Sequence, residues 1–132
     1  MAYMSQDRKK ELAPMIRTWC KVNGIKASIA VRNHSTLVVN IKSGKLDFCQ
    51  NYFDTASESR PVTAQKPEYM QVNTYWAHEH FTGDCRKFLV DLIKLMNRGN
   101  HDNSDIMTDY FDVGWYVDVN VGSWNKPYVL EA

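Results

Sequence analysis

His78-Glu79-His80 is the first place in this sequence where side chains could hold a metal. Histidines two apart on an extended strand point to the same side, and zinc accepts two such imidazoles when a third ligand joins them. The helical zinc-protease spacing, with histidines four apart, is not met. A strand end or loop ahead of a helix explains His78 and His80 more simply, so they stand only as weak metal candidates. Asp102, Asp105, Asp109 and Asp112 surround a polar loop. They lack the alternating oxygens and central glycine of a calcium loop, and capping and solvation explain them at least as well. Nucleophilic chemistry needs a Ser or Cys beside a base. A position near a helix start lowers a thiol pKa, which brings Cys85 forward. Cys85 also lies on an apolar stripe, where a buried, inert thiol is the commoner outcome, and Cys20 has the same standing. His34-Ser35 sets an imidazole beside a hydroxyl, but adjacent residues seldom make a productive dyad. There is no glycine-rich phosphate loop and no nucleophile elbow. These residues favour a binding protein over an enzyme, and they call for no cofactor.

Aromatic residues carry more information. Tyr75, Trp76, Trp115, Tyr116, Trp124 and Tyr128 concentrate in the second half of the chain. Trp115 fits a buried face, which turns Tyr116 outward beside Asp118. Exposed aromatics next to polar groups are what protein interfaces favour, and a nucleotide or single-stranded nucleic acid would stack on the same platform. For Trp19, Phe88, Phe111 and Trp115 a place in the core is preferred. Arg32 and Lys42 project from the polar side of a hairpin, opposite in charge to Asp112 and Asp118. Cross-strand ion pairs are the simple account of them, and recognition is the alternative.

These side chains need elements to position them. Leu12, Ile16, Trp19 and Cys20 trace the stripe of an amphipathic helix from about Ser5, its N-cap, to Val22, with Gly24 as the stop. Pro14 predicts a kink or break near Ala13. Ala27, Ile29 and Val31 alternate with polar neighbours, as do Leu37, Val39 and Ile41, on either side of Asn33-His34-Ser35: a hairpin. Phe48, Tyr52 and Phe53 suggest a short helix, followed by a mobile polar loop to Pro67. Met70 to Trp76 alternates weakly as a strand. Asp84 caps a helix whose stripe is Cys85, Phe88, Leu89, Leu92, Leu95 and Met96, stopped by Gly99. The longest strand runs from Phe111 to Val121, its odd positions buried and Asp112, Gly114, Tyr116, Asp118 and Asn120 wet. Val129-Leu130 pairs briefly. The expectation is an α+β fold: an antiparallel sheet of about four strands with two main helices on one face.

The bulk properties narrow the class further. With 132 residues and 44% apolar content, the chain suits a single domain, 1–132, with one proper core. Sixteen basic residues stand against fifteen acidic ones, so the basic excess of a duplex-binding protein is missing. Three scattered cysteines, Cys20, Cys49 and Cys85, fit a reducing compartment better than a disulfide framework. The charged amino end is no secretion signal, and no apolar run is long enough to cross a membrane. The expectation is a cytoplasmic protein of a host cell, without membrane contact; nothing in the residues addresses oligomeric state.

Three segments taken together carry a resemblance: Met1-Ala2-Tyr3-Met4-Ser5-Gln6, Ala30-Val31-Arg32-Asn33-His34-Ser35-Thr36-Leu37, and Asp109 through Asn120 leading to Trp124, Lys126-Pro127 and Tyr128. In these the chain resembles the large polyvalent protein-associated domain numbered 29, found as small phage and plasmid proteins. The likeness spans most of the chain and is thinnest from Thr55 to Lys66. It implies a setting, namely phages and conjugative elements that counter host defences, and it brings no catalytic residues. The resulting expectation is a phage or mobile-element accessory protein that binds and inhibits a host defence protein, a CRISPR effector among the candidates. Arg32, His34, Lys42, Tyr116, Asp118 and Trp124 would form its partner-binding surface. Asn33 and His34 also have a bland role as turn residues. The alternative is a nucleic-acid or nucleotide-signal binder acting as a sponge, and a metal-dependent hydrolase comes third.

Overall fold

The computed structural model describes residues 3–55, 65–100, 114–123 and 125–131. Helix α1 spans Gln6–Val22, and its N-cap Ser5 accepts a hydrogen bond from the Arg8 amide at 3.0 Å. Of the kink or break expected near Ala13, the break is absent: Pro14 lies inside a continuous helix. Lys10, whose carbonyl loses its partner to the proline, is exposed, and so is Pro14. Water can therefore take the bond that the ring removes.

Strands β1 (Ile25–Arg32) and β2 (Thr36–Gly44) form the expected hairpin. Its turn closes where the Ser35 amide donates to the Arg32 carbonyl at 3.2 Å. Asn33 and His34 both take positive φ, 53° and 57°, the backbone hand that a tight hairpin turn needs and that Asn and His tolerate better than most residues.

Helix α2 (Phe48–Thr55) follows, with the Asp47 carboxylate accepting from the Gln50 amide at 3.0 Å. Strand β3 is Met70–Val72 only. The strand expected to reach Trp76 stops because the Asn73 side chain accepts the amides of Tyr75 and Trp76 and bends the chain. A four-residue helix α3 (Ala77–His80) comes next, then α4 (Gly83–Met96). The N-cap of α4 is Thr82, two residues before the expected Asp84, which instead lies in the first turn. Asn51 of α2 grips Thr82, accepting its amide at 2.8 Å and donating to its hydroxyl at 3.1 Å. Strands β4 (Tyr116–Val121) and β5 (Val129–Leu130) complete the described elements. The portion of the long strand expected from Phe111 to Val113, and Asp102, Asp105, Asp109 and Asp112, lie outside the described residues.

The α+β class holds, with a sheet of different make-up from the one expected. Its five strands run in the order β1-β2-β4-β3, with β5 beside the end of β2. Pairing is antiparallel at β1/β2 and β3/β4 and parallel where β2 meets β4 and β5. All four described helices send apolar residues to one sheet face: Leu12, Ile16, Phe48, Ala77, Phe88, Leu89 and Leu92 pack with Leu37, Val39, Ile41, Val119 and Val121. Trp19 stacks on Phe88 at 6.1 Å and donates its indole N–H to the Phe88 carbonyl at 3.0 Å, locking α1 to α4. No described helix is long and apolar enough to cross a membrane.

Candidate functional site

Alternation along the strands fixes what the other sheet face presents. The pairing sets up rows that run across it. One row is Arg32, Thr36 and Tyr116; the next is Ala30, Val38 and Asp118; the third is Ser28, Asn40, Asn120 and Gln71. Arg32 therefore sits two strands from Tyr116, about 10 Å away. It is one row from Asp118 and reaches it diagonally: the guanidinium Nη1 lies 2.9 Å from the carboxylate Oδ2.

Asp118 was expected on the wet side of the strand, yet it is only 4% exposed. Among the described residues three neighbours meet it. Arg32 bonds Oδ2, Gln71 donates to Oδ1 at 2.8 Å, and Asn120 approaches Oδ2 at 3.5 Å while also donating to Asn40 at 3.1 Å. A buried carboxylate is stable only when its oxygens are met in this way. The cross-strand ion pair expected for Arg32 is present. Arg32 itself is half exposed and Tyr116 is 52% exposed. Within this face Thr36, Val38 and Asp118 are themselves buried, while the ring of Tyr116 and the guanidinium of Arg32 stand exposed at one end.

The remaining predicted residues divide by position. His34 is exposed in the hairpin turn beside Arg32, and its carbonyl accepts the Met4 amide at 2.7 Å. Lys42 is exposed on β2 six residues beyond Thr36, roughly 20 Å along the strand at about 3.3 Å per residue. It stands at the far end of the face, apart from the Arg32–Tyr116 cluster. Trp124 lies outside the described residues.

Three distant stretches of chain meet at the hairpin turn. The Tyr3 amide donates to the Gly114 carbonyl at 2.8 Å, Met4 to His34 at 2.7 Å, and Tyr116 to Ser35 at 2.9 Å. These belong to the same three segments that carry the family resemblance. Behind the junction, the Asn100 side chain pairs with both backbone groups of Trp115 at 2.8 and 3.0 Å, and the indole N–H reaches the Met96 carbonyl at 3.0 Å. The Arg8 guanidinium covers the ring at 5.4 Å. Trp115 is therefore buried as expected, and it anchors the strand that displays Tyr116.

The other chemistry considered from the sequence finds little geometry. His78 and His80 lie on the helical turn α3, not a strand, and residues two apart on a helix do not face each other. His78 stacks on Trp76 at 6.2 Å, whereas His80 meets the edge of Tyr52 at 5.7 Å. Among the described residues no group of three His, Cys, Asp or Glu is placed to hold a metal ion. Burial pushes the thiols of Cys20 and Cys85 up to about 11 and also raises Cys49. Desolvation overrides the helix start at Cys85, leaving it a protonated thiol and a poor nucleophile. Burial likewise raises Tyr128, whose hydroxyl donates to the Leu46 carbonyl at 2.6 Å.

Sequence reading did not find Gln71, Asn40 or Asn120 as members of the polar network. The signal was the parity of the strands, since each occupies the solvent-side position of its alternation; β3 was too short for parity to speak alone. Compared with protein-family models, curated proteins and solved structures, the chain finds no match, so the likeness to the large polyvalent protein-associated domain rests on the quoted residues.

Proposed function

We propose that this chain is a phage or mobile-element accessory protein that docks on a host defence protein and inhibits it without catalysis, using the polar sheet face around Arg32, His34, Tyr116 and Asp118. The observation that carries the docking surface is the fixed Arg32–Asp118–Gln71 arrangement beside the exposed ring of Tyr116. A guanidinium already held in place costs little further ordering when a partner arrives, and Arg and Tyr are the anchors that interfaces prefer. The counter-defence setting comes from the family resemblance alone. A CRISPR effector is one partner class that fits it.

The test is affinity capture from a bacterial host lysate, with and without nuclease, using the wild-type protein and Tyr116→Ala. One host protein retained after nuclease and lost with the variant supports the reading, provided the variant melts with the wild type. Recovery of nucleic acid or a nucleotide alone would replace it with the sponge reading, for which Tyr116 is the stacking platform. Binding that the variant leaves unchanged would remove this face from consideration.

A further inference from the structure

A groove of about 430 Å³ runs between the last turns of α1 and strand β1, on a different part of the molecule from the polar face. Its floor is apolar: Ile16, Ile25, Ala27 and Ile29. Ala27 and Ile29 belong to the core-facing side of β1 but are only partly buried, whereas Val39 and Ile41 beside them on β2 are closed to solvent. Its walls carry Arg17, Lys21, Lys26 and Lys45 against one carboxylate, Glu131. Glu131 is already bound to Lys26 at 3.1 Å, and that bond holds its carboxyl below the usual range. A chain with a formal charge of +1 therefore gathers, among the described residues, three cations without an ion-pair partner at one groove.

Strand β1 supplies the second part of the site. Among the described residues it pairs on one side only, with β2. The register shift between Lys26 and Ala27 twists the beginning of the strand, a feature that discourages indiscriminate edge pairing. From Ala27 to Arg32 the register is regular, and a strand of suitable chemistry can add there.

We infer that this groove receives an acidic, extended segment of a partner protein, which adds to the β1 edge, sets small apolar side chains on the floor and meets the cations with its carboxylates. A second copy of this chain fits poorly, because edge-to-edge pairing would bring like charges together. Nucleic acid fits poorly because no described aromatic side chain lines the groove to stack a base. The inference does not depend on the polar face, and the test below reads the groove alone.

The probe is an end-blocked peptide repeating Val-Thr-Glu-Thr, equal in length to the eight residues of β1, so that Val and Glu both fall on the groove side of the extended chain. Its binding is followed by fluorescence anisotropy, with backbone amide exchange of the protein as the second readout. The Glu peptide should bind, and salt should weaken it. Its Lys counterpart should not bind. Arg17→Gln combined with Lys21→Gln, both at exposed helix positions, should weaken binding about tenfold. Amide exchange between Ala27 and Arg32 should slow when the peptide is present. An oligothymidylate of the same length that bound as tightly would overturn the proposal in favour of a phosphate groove. So would peptide binding that slowed no β1 amide, or a doubly substituted protein that bound normally while keeping its helix content.

Discussion

Replacing Arg32 with alanine would leave the Asp118 carboxylate enclosed in the sheet with Gln71 and Asn120 as its remaining donors. Two limits bound the cost. An ion pair with both ends in water contributes about 0.2–1 kcal/mol, while a hydrogen bond to a charged group contributes about 1.5–3 kcal/mol. Here the carboxylate is 4% exposed and the guanidinium side chain 55%, so solvent screens one end only and the value falls near the junction of the ranges, about 1.5 kcal/mol. For a chain of 132 residues the unfolding entropy scales to roughly 280 cal/mol/K, so each kcal/mol moves the melting temperature by about 4 °C. Arg32→Ala should therefore melt about 5 °C below the wild type. The decisive assay is a double-mutant cycle of Arg32→Ala and Asp118→Asn by urea unfolding. A coupling near 1.5 kcal/mol, falling in high salt, is the expected result. A coupling below about 0.5 kcal/mol would place the contact with ordinary surface ion pairs and refute the idea of a pre-set docking platform.

Other perturbations test other parts of the molecule. Gly122 has φ +66°, and an added Cβ would stand 2.5 Å from the Tyr128 nitrogen; Gly122→Ala should cost more than about 2 kcal/mol in urea and loosen β5, seen as faster amide exchange at Val129 and Leu130. Trp115→Phe loses the indole bond to the Met96 carbonyl and weakens the Arg8 contact, for a drop of about 1–2 kcal/mol by the same measurement. Cys20 and Cys85 titrate near 11 in the fold against 9.0 for an ordinary thiol. Between those values the unfolded chain binds fewer protons than the native one, so their stabilisation is complete below pH 9 and is lost as pH rises towards 11. Unfolding curves across that interval should show the decline, and both thiols should resist alkylation at neutral pH until denaturant is added. Protection equal to that of the unfolded chain would refute their burial.

What the sequence made legible were elements whose signal is local. The hairpin could be read because Ala27, Ile29 and Val31 and then Leu37, Val39 and Ile41 keep strict alternation around a polar turn, and α4 because its stripe repeats over four turns. The Arg32–Asp118 contact could be anticipated as an opposite-charge pair on the polar parity of two strands, although β2 lies between them and the contact crosses it diagonally. Three features resisted for physical reasons. The parallel pairing of β2 with β4 depends on the path of the intervening helices, which no window of residues reports. The burial of Asp118 depends on Gln71, forty-seven positions away, on a strand only three residues long. Pro14 was read as a kink or break because the local rule sees a lost amide, while the helix runs on unbroken where this side of α1 faces water.

The parallel partnership of β2 and β4 also has a consequence for the order in which a ribosome releases the chain. Strand β2 emerges with β1, but the strand that covers its other edge begins at Tyr116. Ribosomal elongation at about 5–20 residues per second leaves that edge, with Leu37, Val39 and Ile41, without its partner for roughly 4–15 seconds. During that interval the nascent hairpin offers an apolar strand to any chain nearby. Brisk translation, or a chaperone that shelters the first half, should therefore raise the yield of native protein more than any gain in the stability of the finished fold.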